Sequence, residues 1–478
     1  MPDPSSVNFS LNRRGFLARY AGGIGTLALT DLLTREARAA AVKSASRRPP
    51  LAPKPAHHPG KAKAVICLFQ HGGPSQMDLF DPKPELQRRH GKKYEGDLEV
   101  HFHTQIGNVL GSPYKFKQHG DSGMVLSELL PHTASISDEF TMIRSMVTES
   151  VDHEQALRMI HSGKTTAGRP TWGAWTVYGL GSACEDLPAY VVLSDPAGLP
   201  IDHTRNWTSG WLPAVYQGTQ IRSTGAPVFN LVSPKDLPPA GRANQHRYLK
   251  ALNQAHLLRH PENTELSARI TNYELAARMQ AAVPDVLDLS TESASTRKMY
   301  GLDQKETQEY GTRCLMARRL VERGVRFVQI FLAGQPWDTH DRNAERLKGL
   351  CARTDQPSAA LVKDLKQRGL LDSTIVMWTG EFGRLPISQG KDGRDHNRHA
   401  FSMWIAGGGF KKGYSHGATD DFGYKSIEDV VTVPDLHATL LHTLGLDHER
   451  LTFPHSGRDE DPTDTVVTHA QPIRTLLA

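Results

Sequence analysis

Six short apolar runs punctuate the chain: Ala64 to Phe69, Phe140 to Arg144, Tyr190 to Leu193, Val325 to Leu332, Thr374 to Trp378 and Phe401 to Ala406. They are continuous rather than alternating, the pattern of strands buried on both faces of a sheet. Between them, apolar residues recur at helical spacing. Cys314 to Val321 is one such stretch and stops at Gly324. Pro357 predicts the start of a second helix, which buries Leu361 and Leu365 and closes at Gly369. Pro434 predicts a third, with Leu436, Leu440, Leu441 and Leu444 on one face and Gly445 at its end. Asp152-His153-Glu154 opens a helix running to His161, followed by Ser162-Gly163. Strands alternating with helices predict an α/β fold, a mainly parallel central sheet with helices on both faces. In such sheets ligands bind beyond the carboxyl ends of the strands. No internal repeat is evident.

The N-terminus has a different character. Asn12-Arg13-Arg14-Gly15-Phe16-Leu17 resembles the twin-arginine export motif. The apolar stretch from Tyr20 to Leu33 is too short and glycine-rich to span a bilayer as a stable helix. Ala37-Arg38-Ala39 offers a small-residue cleavage site. Residues 1–39 are therefore expected to be a signal peptide, taken by the twin-arginine export machinery to the periplasm or outside the cell. No stable membrane span is expected after cleavage. Residues 40–60, rich in Ala, Pro, Lys and Arg, read as a disordered linker. Residues 61–478 are expected to form one domain, a size that α/β enzymes reach as a single unit.

Charge changes this picture little. The net charge is +5, and five arginines of the signal face only Asp3, Asp31 and Glu36. The mature chain is then close to +3, which predicts no nucleic-acid partner. The four cysteines are widely spaced without a CxxC pair, and Cys67, inside an apolar run, reads as a core residue.

Histidine changes the picture more. There are 23, many beside Asp, which suggests metal ligation. His71 follows the first strand in a Gly-rich turn. Asp338 and His340 lie in a loop past the Val325 strand, close enough in sequence to face one ion. Glu381 and Arg384 follow the Thr374 strand, where Glu381 supplies a carboxylate and Arg384 is placed to meet an anion. Asp395, His396 and His399 precede the Phe401 strand. Residues 195–220 hold His203, Asn206, Trp207, Trp211 and Tyr216. They read as a loop over the site, in which Asn206, Trp207 and Trp211 contact substrate by stacking on a sugar ring, or else as a packed cover.

FQHGGPSQMDLFDPKP, WDTHDRN, WTGEFGRLP, GRDHNRHAFSMWIAGGGFKKG and TVPDLHATLLHTLGLD together resemble the "domain of unknown function 1501" family of exported proteins. That likeness spans residues 64 to 460. More distantly the chain is similar to the alkaline phosphatase superfamily, in which two metal ions sit at the strand ends. The resemblance implies one or two divalent ions, with zinc expected and manganese or calcium as alternatives. It implies a metal set drawn from His71, Asp338, His340, Glu381, Asp395, His396 and His399. His71 stands where the superfamily has an Asp, and Phe382 where it has a His. The nucleophile slot departs most: it falls on His153 rather than Ser, Thr or Cys, and no Cys-x-Pro-x-Arg sequence occurs. His153 is then a ligand or a general base activating water. Metal-activated water is itself a competent nucleophile, and Ser75 and Ser162 are weaker hydroxyl candidates. The resulting expectation is a metallohydrolase of phosphate or sulfate esters, acting on a small-molecule or glycan ester, with His153 and Arg384 catalytic. The alternative is a catalytically degenerate homologue that acts as a binding or polysaccharide-associated protein.

Overall fold

A computed structural model describes residues 49–225, 238–260 and 263–478. The twin-arginine motif and its cleavage site lie outside the described residues. The main sheet has nine strands: β1 (Ala64–Phe69), β2 (Phe140–Val147), β3 (Tyr190–Ser194), β4 (Thr219–Arg222), β5 (Phe327–Phe331), β6 (Thr374–Thr379), β7 (Phe401–Ala406), β8 (Tyr414–His416) and β9 (Val431–Thr432). Their order is β8-β2-β7-β6-β1-β5-β3-β4, and β9 pairs with β2. Only β7 runs against its neighbours, β2 and β6. The other pairings are parallel. All six apolar runs are strands of this sheet, and the mainly parallel α/β fold is as expected.

β1 shows why continuity of apolar residues marks such a strand. Ile66 and Leu68 enter one core cluster, while Val65, Cys67 and Phe69 enter another on the opposite face. Successive side chains point to opposite faces, so a strand covered on both sides has no polar positions. The first cluster is completed by α3 (Gln308–Glu322) and α4 (Asn343–Gln367), through residues such as Leu315, Leu320, Leu347 and Leu361. The second is completed by α1 (His153–Ser162), α2 (Trp172–Leu180) and α5 (Val433–Thr443), through Leu157, Trp172, Trp175, Leu436 and Leu440. Asp152 caps α1 by accepting from Gln155 N at 3.1 Å. All four cysteines are free.

Two expectations need correction. Pro357 does not open a helix; it lies inside α4, which runs through it. A mid-helix proline removes one hydrogen bond and costs about 3 kcal/mol. Leu347 and Cys351 before it, and Leu361 and Leu365 after it, are buried in the same cluster, and that shared burial holds the two halves in line. The second correction concerns the linker, because residues 49–60 are docked. Leu51 packs against both clusters. Lys54 N donates to Leu180 O at 2.9 Å, and His57 N to Gly445 O at 2.9 Å. Lys54 Nζ donates to Tyr178 O at 2.6 Å. Proline and lysine composition suggested a free coil, whereas backbone donors and one aliphatic anchor fix this half to the domain. No helix among the described residues is long and apolar enough to cross a membrane.

Leu361 tests the continuity of α4 across Pro357. Leu361→Ala removes a fully buried side chain and is expected to lower stability by about 2–5 kcal/mol in urea unfolding. A loss well under 1 kcal/mol would show that the half of α4 beyond Pro357 is not held by the core.

Candidate metal centre

The carboxyl ends of β1, β2, β5 and β6 share one edge of the sheet, and antiparallel β7 starts there. The segments that follow or precede these strands therefore converge. Past β5, Trp337 N donates to His71 O at 3.0 Å, and Trp337 Nε1 donates to Gln70 Oε1 at 2.9 Å. This sets Asp338 directly over the turn after β1. A Cβ on Gly72 would lie 2.3 Å from Asp338 N, and the φ of Gly72 is +110°, so only glycine fits. His396 sits in a two-residue ladder opposite Arg384. A Cβ on Gly393 would lie 1.7 Å from His340 O, so that position too is closed to any side chain.

Four side chains meet in this space. Asp338 Oδ1 lies 2.8 Å from His340 Nε2 and 3.1 Å from His396 Nε2, and Oδ2 lies 3.3 Å from His153 Nε2. Each imidazole has its other nitrogen committed to an oxygen. His153 Nδ1 donates to Glu381 Oε1 at 2.7 Å. His396 Nδ1 donates to Val151 O at 2.6 Å. His340 Nδ1 donates to Gln389 Oε1. With Nδ1 as the donor, Nε2 of a neutral ring carries a lone pair. Three such lone pairs aimed at one carboxylate repel it unless a proton or a cation lies between them. Outer hydrogen bonds on Nδ1 are also how metal-ligating histidines are oriented. The residues present therefore fit a divalent cation. His153, Asp338 and His396 each place a donor atom within 4.8 Å of the others, and so do His340, Asp395 and His396.

Electrostatics follow from this crowding. Burial disfavours a charged Asp338, but the surrounding His153, His340 and His396, with the Arg384 guanidinium beside them, hold its carboxyl far below the usual range. Burial also opposes a charge on His153, yet Asp338 and Glu381 outweigh it and lift its pKa to about 9. Burial, with the neighbouring Arg384 and His153, pushes His396 down to about 3.

The remaining expected site residues have the following surroundings, Asp395 being a member of the second group. Glu381 is fully buried and accepts Gly72 N at 2.9 Å as well as His153, and it stands outside both groups. Arg384 is not free to meet a substrate anion. Its guanidinium donates to Gly73 O, Arg394 O, Gly72 O and, at 2.7 Å, Asp338 Oδ1, and it is fully buried. His71 lies outside both groups; it is buried and neither ring nitrogen has a partner among the described residues. Burial and the adjacent His161 and His153 keep it neutral. His399 points away and pairs with Glu99 at 2.8 Å. Asp395 accepts from the backbone N–H of His101, Phe102 and His396. Ser75 donates to Asp78 at 2.6 Å and Ser162 to Arg158 O at 2.8 Å, so each hydroxyl proton is engaged outside the four-residue cluster.

The 195–220 loop is a packed cover. Trp207 is buried against Phe331, with ring centres 5.4 Å apart. The Asn206 amide donates to Ile201 O and His203 O. Trp211 stacks on His455 at 5.0 Å. Sequence reasoning missed Gln389 and Val151, which orient two imidazoles; an amide and a carbonyl oxygen leave no motif to find.

The family described as Protein of unknown function (DUF1501) matches residues 62–477. The chain belongs to this family. This DUF1501 protein matches no curated protein. Among solved structures it is similar to a protein in the alkaline phosphatase superfamily from Vibrio parahaemolyticus (11% identity, TM-score 0.37, covering 89% of this chain and 73% of that one). It is also similar to the PsFucS1 sulfatase from Pseudoalteromonas sp. (12%, 0.36, 82% and 69%), and to the phosphonate monoester hydrolase SpPMH from Silicibacter pomeroyi (10%, 0.33, 87% and 76%). TM-scores this low leave these as distant likenesses on which nothing further rests.

The raised pKa of His153 makes stability depend on pH. In chelator-treated protein its contribution is fully present below the unfolded value near 6.5 and is lost as pH rises through about 9. On the order of 3 kcal/mol is involved. Denaturant midpoints measured from pH 6 to 9.5 should fall, and His153→Gln should flatten that fall. A midpoint that holds or rises over this window in the unaltered protein would refute the assignment.

Proposed function

We propose that this protein is an exported, metal-dependent hydrolase of phosphate or sulfate esters. The supporting observation is the set of three Nε2 atoms, each oriented through Nδ1, aimed at one partly buried carboxylate. Asp338, His340 and His396 are the proposed core of the ligand set, with His153 joining them through Nε2. Three imidazoles and one carboxylate suit zinc and argue against calcium, which prefers oxygen donors. A divalent cation bound there supplies Lewis-acid stabilisation of the ester's developing charge and acidifies water.

The chain's own part is orientation. Glu381 fixes the His153 ring, so Nε2 can hold a proton or an ion, but not both. Arg384 holds Asp338 in place and spends its donors doing so. With Ser75 and Ser162 both engaged, water is the proposed attacking group. His340, the most exposed of the four at 26%, opens the site to solvent and to a substrate. Under this reading the protein works in the periplasm or outside the cell, on a small-molecule or glycan ester.

Phe382 favours a second reading, a binding protein that has lost catalysis. It is fully buried and its ring packs on His153 and His396, at 4.9 and 4.5 Å. It thus fills space beside two proposed ligands.

Elemental analysis of the purified protein tests the first reading together with assays on aryl phosphates, phosphodiesters and aryl sulfates. At least one zinc per chain and turnover of one ester class are expected. Metal without turnover would leave the binding protein, and neither would end the metal-centre reading. Glu381→Gln, which removes only the charge behind His153, should weaken zinc affinity by roughly 10- to 100-fold while leaving the circular dichroism spectrum unchanged. Export is tested separately. Replacing Arg13 and Arg14 with Lys should leave the protein in the cytoplasmic fraction, and undiminished periplasmic protein would refute a twin-arginine route.

A further inference from the structure

The proposed centre is not equally open on all sides. The side chain of His396 is 4% exposed and those of His153 and Asp338 are 11%, against 26% for His340. A ligand therefore reaches the cluster past His340. Phe102 stands on that side. Its ring meets His340 edge to face, with centres 5.3 Å apart at 88°, and lies 6.4 Å from His396. Next to it, His101 stacks on His396 at 5.1 Å. Phe102 is a large apolar side chain left 42% exposed at the mouth of a polar cluster.

This rim is fixed to the centre. Asp395 Oδ2 accepts His101 N at 2.9 Å and Phe102 N at 3.0 Å, and Asp395 Oδ1 accepts the backbone N–H of His396 at 2.8 Å. One buried carboxylate thus ties the rim to a proposed metal ligand. Two and three residues past His396, Arg398 and His399 hold Glu99 at 2.8 Å each. The Tyr424 hydroxyl accepts Glu99 N at 2.9 Å. A ring held this way loses little freedom when a second ring packs on it.

We infer that Phe102 is the contact for a ring on the ligand, so that the centre takes an oxyanion whose carbon skeleton begins with an aromatic or sugar ring. The reasoning is geometric: the anionic group enters at His340, and whatever is bonded to it lies against the exposed face of Phe102. This rests on the metal-centre reading above and names the substrate class for that same site. It also moves the ring contact from Trp207 and Trp211, which are packed, to a segment more than 100 residues earlier.

The test uses zinc-loaded full-length mature protein and two anions that differ only in the ring, phenylphosphonate and methylphosphonate, titrated calorimetrically. Phenylphosphonate should bind about three- to tenfold more tightly, the range expected for one edge or offset ring contact. Phe102→Ala should erase that preference while leaving the methylphosphonate affinity and the zinc content unchanged. Phe102→Tyr should keep it. Equal binding of both anions to the unaltered protein would overturn the rim assignment alone, and so would a preference that survives Phe102→Ala. If neither anion binds the zinc-loaded protein, the ester-hydrolase reading fails and this inference falls with it.

Discussion

The carboxylate of Asp338 is the point on which the site depends. It carries a negative charge into the interior, where an uncompensated ion costs several kcal/mol. Compensation comes from Arg384 at 2.7 Å and, on its other sides, from a proton or cation shared with the three imidazoles. Breaking a buried pair of this kind typically costs about 3–5 kcal/mol because one charge is left stranded. Much of the surrounding chain is arranged so that it does not happen. Gly72 and Gly393 have no side chain because the backbone of Asp338 or His340 already occupies that volume. Arg384 is held by four oxygens besides Asp338, so its guanidinium has one orientation.

A second layer fixes the imidazoles. Glu381, Gln389 and Val151 O each take one Nδ1 proton, which determines the tautomer and the direction of the lone pair. They come from three different segments: the turn after β6, the strand-like stretch before His396, and the entry to α1. The tuning of the centre is thus spread over the carboxyl edge of the sheet. The same crowding raises the pKa of one histidine and lowers that of another within a few ångströms. Under the proposed metal reading, a proton and a metal ion compete for one space in this arrangement, so metal uptake would be linked to pH.

Peripheral segments serve the same edge. The 195–220 loop covers the aromatic core beside Phe331, and its tryptophans supply packing. The Glu99–Phe102 segment is tied to Asp395 and so is referred directly to His396. At the opposite end of β1, residues 49–60 lie against α2 and the Gly445 turn, so any segment upstream of them starts from a fixed point on the domain.

The sequence by itself determined the fold class, because a strand buried on both faces must be apolar without alternation; all six such runs were legible, β1 and β7 to the residue. It also placed His71, His153, Asp338, His340, Glu381, Asp395, His396 and His399 near one edge, since each adjoins such a run. It did not sort them. Tertiary structure decided that Asp338, His340, His396 and His153 converge, that Glu381 and Arg384 stand behind them, and that His71 and His399 stand apart. It decided as well that Pro357 lies within a helix, that half of the linker is docked, and that the exposed ring near the site is Phe102. The physical reason is common to all of these. Periodicity reports which face of an element is buried, but which oxygen takes a given proton depends on atoms brought together from distant parts of the chain.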